Sequence, residues 1–264
     1  MFAEAMVRMS GRQLYVHLLP QLVPRDALRG GVAIVIDVLR ASTTVIHALA
    51  SGCVAVWPVM EVDQAQSEAK ELRSVGYDVI LGGERGGLPI PGFDLGNSPA
   101  DYVPDACKDR HLVLTTTNGT RALHHATPAE RVLIASFVNF SAVCEQILRE
   151  NRPLHFLCAG TDGEITLEDT LLAGAFVEVL HNKHLLCNDS ARLAWDCFEH
   201  HGMVLVEALK LSKGGRNLIT LGCEDDIALA GQVDRFRIVP ELQRQPLRLE
   251  VGALGLGPSR WPQS

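Results

Sequence analysis

The sequence lacks the features that would place it in several common classes. It has no C-x-x-C pair, and its seven cysteines (Cys53, Cys107, Cys144, Cys158, Cys187, Cys197 and Cys223) are odd in number. Several sit inside apolar runs, where cysteine acts as a small hydrophobe. A disulfide scaffold and a zinc site are therefore disfavoured, and a reducing, cytoplasmic setting is expected. No apolar run is long enough to span a bilayer, and the first residues, MFAEAMVRMSGRQ, lack the apolar core of a secretory signal. Residues 1–13 read as an extension, with Met6 and Met9 as alternative starts. An excess of positive charge is also missing. The net charge of −7 and the pI of about 5.8 argue against a general nucleic-acid binder.

Familiar phosphotransfer motifs are absent as well. Asp37 is followed two positions on by Leu39, so no Asp-x-Asp pair forms there. The position six after Cys158 is Glu164, where a cysteine-phosphate mechanism needs arginine. No G-x-x-x-x-G-K-[ST], no helix-opening G-x-G-x-x-G and no G-x-S-x-G occurs.

What is present is an ordinary globular mix of 264 residues, 47% apolar and 21% charged, enough for a sizeable core. Short β-rich runs alternate with helical patterns. Leu14–Leu19, Val32–Val38, Val54–Val59, Asp78–Leu81, Leu112–Thr115, Val132–Ser136 and Leu154–Ala159 read as strands. Ser42–Ser51, Val62–Ser74, Thr120–Ala126, Ser141–Glu150 and Leu167–His181 read as helices. This alternation predicts an α/β fold, a three-layer αβα sandwich around a mostly parallel sheet. Residues 14–240 form the expected domain, with 189–231 as a mainly helical layer. A last strand is expected at Phe236–Val239, and residues 241–264 read as a surface arm. The run Gly82–Pro99, GGERGGLPIPGFDLGNSP, reads as a long functional loop with no regular element.

Four strands lead at once into polar clusters, and in a parallel sheet such clusters converge at one edge. Asp37, Glu84, Asp162 and Glu164 offer hard oxygen ligands suited to Mg²⁺, with Glu168 as a further candidate. Asp37, Glu84 and Asp162 are the expected catalytic carboxylates. Arg40, Arg85 and Arg121 offer planar forks for anions. Ser42, Thr116, Thr117, Asn118 and Asn139 complete the expected substrate contacts. Thr115–Asn118 would cradle an anion through hydroxyl and backbone donors at a helix start. Plainer roles compete with each. Ser42, Thr43, Asn118 and Thr120 are also good capping residues, and Glu168 and Asp169 suit the first turn of a helix. The ten histidines lack metal-ligand spacing and read as structural or solvent-facing.

At these clusters the sequence resembles the 2-phosphosulfolactate phosphatase family. The stretches that carry the resemblance are IDVLRAST (Ile36–Thr43), the glycine run Gly82–Pro99, TTTNGTRAL (Thr115–Leu123), SFVN (Ser136–Asn139) and CAGTDGEITLED (Cys158–Asp169). A weaker match is SKGGRNLITLG (Ser212–Gly222), followed by Asp225-Asp226. The resemblance implies an αβα sandwich and Mg²⁺-dependent hydrolysis of 2-phospho-3-sulfolactate to 3-sulfolactate and phosphate, a step toward coenzyme M. The partner would be a small anionic phosphoester, not nucleic acid or membrane; a homo-oligomer is compatible. The attacking group is left open between water, Asp37, a threonine and Cys158. The rival reading is a non-catalytic binder of a phosphorylated or sulfonated metabolite. Its weakness is the set of carboxylates, which a pure anion binder has no use for.

Overall fold

The run Val32–Ile36 contains no polar side chain, and both of its faces are buried. Val32, Ile34 and Ile36 enter one core cluster, while Ala33 and Val35 enter another on the opposite face. That period of two, with both faces covered, is the pattern of an inner strand of an αβα sandwich. The computed structural model describes residues 12–182, 184–186 and 188–252. Most of the expected extension, Cys187 and the residues past 252 lie outside them.

The strands are β1 (Arg12–His17), β2 (Val32–Ile36), β3 (Ala55–Pro58), β4 (Val79–Arg85), β5 (Leu88–Pro89), β6 (His111–Thr115), β7 (Arg131–Ala135), β8 (Leu154–Cys158), β9 (His184–Leu186), β10 (Pro240–Arg244) and β11 (Leu247–Val251). They form one 11-stranded sheet in the order β5-β4-β6-β3-β11-β10-β7-β2-β8-β1-β9. β7, β2, β8, β1 and β9 run parallel, as do β4, β6 and β3. The helices are α1 (Ala41–Ala50), α2 (Val62–Ser74), α3 (Pro104–Cys107), α4 (Gly119–Ala126), α5 (Phe140–Ile147), α6 (Leu167–Leu180), α7 (Asp189–His201), α8 (Leu205–Leu211), α9 (Lys213–Thr220) and α10 (Glu224–Ala230). α1 and α4 pack on one face of the sheet through Ile46, Ala48, Ala122 and Leu123; α5 and α6 pack on the other through Ile147, Leu172 and Phe176. The predicted sandwich is thus the observed architecture, and 189–230 is helical as expected.

Two expectations change. Residues 236–239 are irregular, and the segment after them is no surface arm. β10 and β11 form an antiparallel hairpin inserted in the sheet between β7 and β3, through Glu241↔Leu133 and Leu249↔Val56. Leu242 and Leu249 anchor it in the core. Leu247, Leu249 and Val251 alternate with Arg248 and Glu250, a strand pattern that the nearby prolines and glycine (Pro240, Pro246, Gly252) led the sequence reading to pass over.

The glycine run is also more regular than expected. β4 continues through Gly82 and Gly83, paired with Leu114 and Thr115 of β6. Side chains would not fit there: a Cβ on Gly83 would strike the Thr115 carbonyl, and one on Gly82 the Tyr102 hydroxyl. Glycine here permits close approach of backbones and does not break the strand. Gly86 and Gly87, with φ of 59° and 82°, then form the two-residue turn of the β4–β5 hairpin. Two consecutive positive φ values are the requirement of a type I′ turn.

Candidate active site

The carboxyl ends of β2, β4, β6 and β8 meet a cavity of about 360 Å³. Asp37, Arg40, Glu84, Thr116, Thr117, Asn118 and Asp162 all line it. Parallel pairing accounts for the ends of β2 and β8 lying together and for those of β4 and β6. The three antiparallel pairings of the β10–β11 hairpin reverse one block against the other, so the meeting of the two blocks at this cavity comes from the folded sheet and not from parallel order. The cavity is closed on its other side by Gly214, Asn217, Leu218, Thr220 and Leu221 of and just after α9.

Asp37 follows β2 directly and is buried. Its Oδ1 accepts from the Ala41 N–H at 3.2 Å, and its own N–H donates to Ser42 Oγ at 3.0 Å. Burial, with Glu84 and Glu168 nearby, pushes its carboxyl up to about 7; the Ala41 N–H and Arg40 oppose this. Gly119, at the start of α4, sits so close that a Cβ there would lie 2.7 Å from Asp37 Oδ2. Glu84 is fixed by three donors. Thr117 N–H reaches Oε1 at 2.6 Å, while Gly87 N–H and Thr117 Oγ1 reach Oε2 at 2.8 and 3.2 Å. The Gly86-Gly87 turn thus presents a backbone donor to the carboxylate of its own strand.

Behind these lie Glu168 and Asp169, both buried at the start of α6. Asp169 accepts from Val38 N–H at 2.9 Å and from Gly160 N–H at 3.0 Å, tying the loops after β2 and β8 together. Burial and the neighbouring Glu168 and Asp37 carboxylates hold its carboxyl well above the usual range. Glu168 is raised by burial, with Ser212 and the Gly214 N–H opposing, and its Oε2 has no hydrogen-bond partner among the described residues. The site therefore holds more carboxyl groups than its own donors can keep ionised.

The scan against family models matches residues 17–245 to 2-phosphosulpholactate phosphatase. The chain belongs to the 2-phosphosulfolactate phosphatase family. It is 39% identical over 219 residues to a protein of Symbiobacterium thermophilum named probable 2-phosphosulfolactate phosphatase, covering 82% of this chain and 93% of that one. A protein of the same name from Caldicellulosiruptor saccharolyticus is 44% identical over 233 residues, covering 84% and 93%. Another from Thermotoga maritima is 38% identical over 221 residues, with the same coverage. The chain is accordingly a phosphoric monoester hydrolase. The match includes β10, so the family's fold extends beyond Pro240.

Within this family member, the expected site residues divide. Arg40 lines the cavity, but its guanidinium is committed elsewhere. Nη1 pairs with Asp226 Oδ2 at 2.7 Å, and Nη2 donates to Gly87 O at 2.8 Å. Asp226 also accepts from Ser98 Oγ at 2.6 Å. Arg85 does not line the cavity; it donates to Glu84 O, Met60 O and Thr115 Oγ1, bracing the loops. Ser42 is buried against the Asp37 backbone and lies outside the lining. Asn139 is fully buried. Its Oδ1 accepts from Ser136 N–H, and its Nδ2 donates to Ile134 O and Ile238 O. It is a structural residue, because its whole amide is satisfied by backbone.

Asp162 sits on an exposed turn with φ of 54°, followed by Gly163 at 76°, again two consecutive positive values. Lys213 Nζ lies 3.8 Å from Asp162 Oδ2 and 3.2 Å from Glu164 Oε2. Glu164 is exposed and does not line the cavity. Arg121 is exposed and lines an adjoining cavity instead. Sequence reasoning missed Asp226, Asn97 and Asn217. Asn97 is buried on the cavity wall, with its Oδ1 unpartnered among the described residues. Asn97 and Asn217 lie within the two glycine-containing runs already singled out, which was the only signal for them.

Proposed function

We propose that this chain hydrolyses 2-phospho-3-sulfolactate, or a closely similar anionic phosphoester, in a Mg²⁺-dependent reaction in the larger cavity. The observation that carries this reading is the pair of buried carboxyl groups, Asp37 and Glu84, lining a cavity that must admit an anion, with Glu168 buried behind them. Unrelieved, that charge would repel the substrate. Among the described residues no three or more His, Cys, Asp and Glu side chains gather as a ready-made metal cage. That suits Mg²⁺, which is usually held by one or two carboxylates together with substrate phosphate and water. Asp37 and Glu84 would hold it, with Glu168, whose Oε2 has no hydrogen-bond partner among the described residues, behind them. Asp162 and Glu164 fit less well, since Lys213 already balances them. When bound, the ion would offset charge on the phosphoryl oxygens.

The chain's own residues do the rest. Arg40, committed to Asp226 and Gly87 O, braces the cavity wall from which the Gly86-Gly87 turn holds Glu84. Thr116, Thr117 and Asn118 line the cavity just ahead of α4, where backbone N–H groups favour an anion. Without the ion, burial raises the Asp37 carboxyl to about 7; bound Mg²⁺ would favour its ionised form, so the ion would relieve the cost of burying this charge.

Phosphate release from 2-phospho-3-sulfolactate tests the reading. EDTA is expected to abolish release and added Mg²⁺ to restore it. Undiminished hydrolysis in a fully chelated sample would remove the metal from the mechanism; no hydrolysis under any condition would remove the substrate.

A further inference from the structure

A second cavity of about 200 Å³ adjoins the first. Thr117, Asn118 and Asp162 line both, so a short molecule can reach from one into the other. The smaller cavity adds Pro20 and Gln21, which precede β2, together with Arg121 and His125 of α4. Its charge differs in kind from that of its neighbour. The larger cavity is lined by two buried acids, Asp37 and Glu84, and its one arginine is already paired with Asp226. In the smaller one Arg121 forms no ion pair among the described residues. The acid on its wall, Asp162, is the one that faces Lys213.

We propose that this smaller cavity is a separate anion subsite that takes the distal acidic arm of the substrate, a sulfonate or carboxylate, while the phosphate sits in the larger one. This rests on the function proposed above. The donor set suits a multi-oxygen anion that carries its charge at every physiological pH. Arg121 supplies a planar guanidinium fork. Asn118 accepts from the Asp162 N–H through Oδ1 at 3.3 Å, which leaves its NH₂ as the donating end. Gln21 is exposed and brings a second amide. His125 adds no charge at neutral pH: burial lowers its pKa, and its Nε2 is engaged by Val23 O at 3.0 Å. The phosphate is placed in the other cavity because that is where the carboxylates fit for a metal lie. The shared wall of Thr117 and Asn118 would then lie along the bridge between the two acidic groups.

Calorimetric titration with 3-sulfolactate and, separately, with inorganic phosphate tests the subsite without relying on turnover. Truncating one partner of a charge-assisted contact leads to an expected loss for Arg121→Ala of about 30-fold or more in sulfolactate affinity. Phosphate affinity should stay within about twofold, as expected of a separate site. Arg121→Lys should recover part of the loss, and Gln21→Ala should weaken sulfolactate alone. Equal weakening of both ligands, or of neither, overturns the subsite, as does a wild-type protein that binds no sulfolactate. Phosphate release by the same wild-type sample separates the two claims. An active enzyme whose sulfolactate affinity ignores Arg121 refutes the subsite alone, whereas an inactive one refutes the proposed function.

Discussion

The contact between Arg40 and Asp226 joins the loop after β2 to α10 at 2.7 Å, with side-chain exposures of 5% and 4%. Removing the acid leaves a guanidinium buried with Gly87 O as its remaining hydrogen-bond partner, and it orphans Ser98 Oγ. Breaking one member of a buried pair typically costs about 3–5 kcal/mol, because the remaining charge is uncompensated. Asp226→Ala is therefore expected to lower stability by about that amount. At roughly 2–4 °C per kcal/mol for a chain of this size, the melting temperature should fall by about 6–20 °C. Arg40→Ala should cost a similar amount. The double variant should cost less than the sum of the two by about 2 kcal/mol or more, since the second change removes the charge that the first left stranded. Urea unfolding of the wild type, both single variants and the double variant measures all of these terms. Asp226→Asn keeps the shape and removes the charge, so it should lower kcat/KM by loosening Arg40 with a smaller loss of fold stability. A cost below about 1 kcal/mol for Asp226→Ala, or strict additivity in the double variant, would refute the argument that Arg40 is held by this pair.

Two other outcomes follow from the same site. Asp37 titrates near 7 in the folded chain against an ordinary value of 3.8. The fold thus binds the proton more tightly than the unfolded chain, and the stability this group contributes is full below about pH 4 and lost as pH rises through 7. In EDTA, Asp37→Asn should gain on the wild type between pH 4 and 8, by up to about 4 kcal/mol, while losing phosphatase activity; a pH-independent difference in urea unfolding would show that Asp37 is not the raised group. Asn139→Ala should destabilise by about 2–4 kcal/mol by stranding buried backbone groups, yet leave KM unchanged; a raised KM with an intact melt would return Asn139 to the substrate.

The part of the site that the sequence made legible is the part fixed by topology. Asp37, Glu84, Thr116–Asn118 and Asp162 each come just after a strand or at its end. Parallel pairing brings together the ends of β2 and β8, and separately those of β4 and β6, whatever the side chains do; that the two pairs meet across the antiparallel hairpin was not legible. Arg85, Ser42 and Asn139 follow strands too, but their polar groups satisfy the backbone of the loops they stand in. Tight loops near a site need such donors and acceptors as much as a ligand does, and sequence position cannot separate the two uses. The partner of Arg40 was illegible for a different reason. Asp226 is 186 positions away and meets Arg40 only after α10 has docked. The central hairpin was passed over because Pro240, Pro246 and Gly252 read as loop, although Leu247, Leu249 and Val251 alternate with charged residues.

That hairpin sets an order of events during synthesis. Every other strand leaves the ribosome before Pro240, yet β5-β4-β6-β3 and β7-β2-β8-β1-β9 are joined in the sheet only through β10 and β11. Glu84 and Thr116 belong to the first block, Asp37 and Asp162 to the second, so the cavity straddles the seam. A nascent chain halted before Pro240 would hold all these catalytic candidates, with α4 already able to pack on β2, and would lack only the two strands that close the sheet between the blocks.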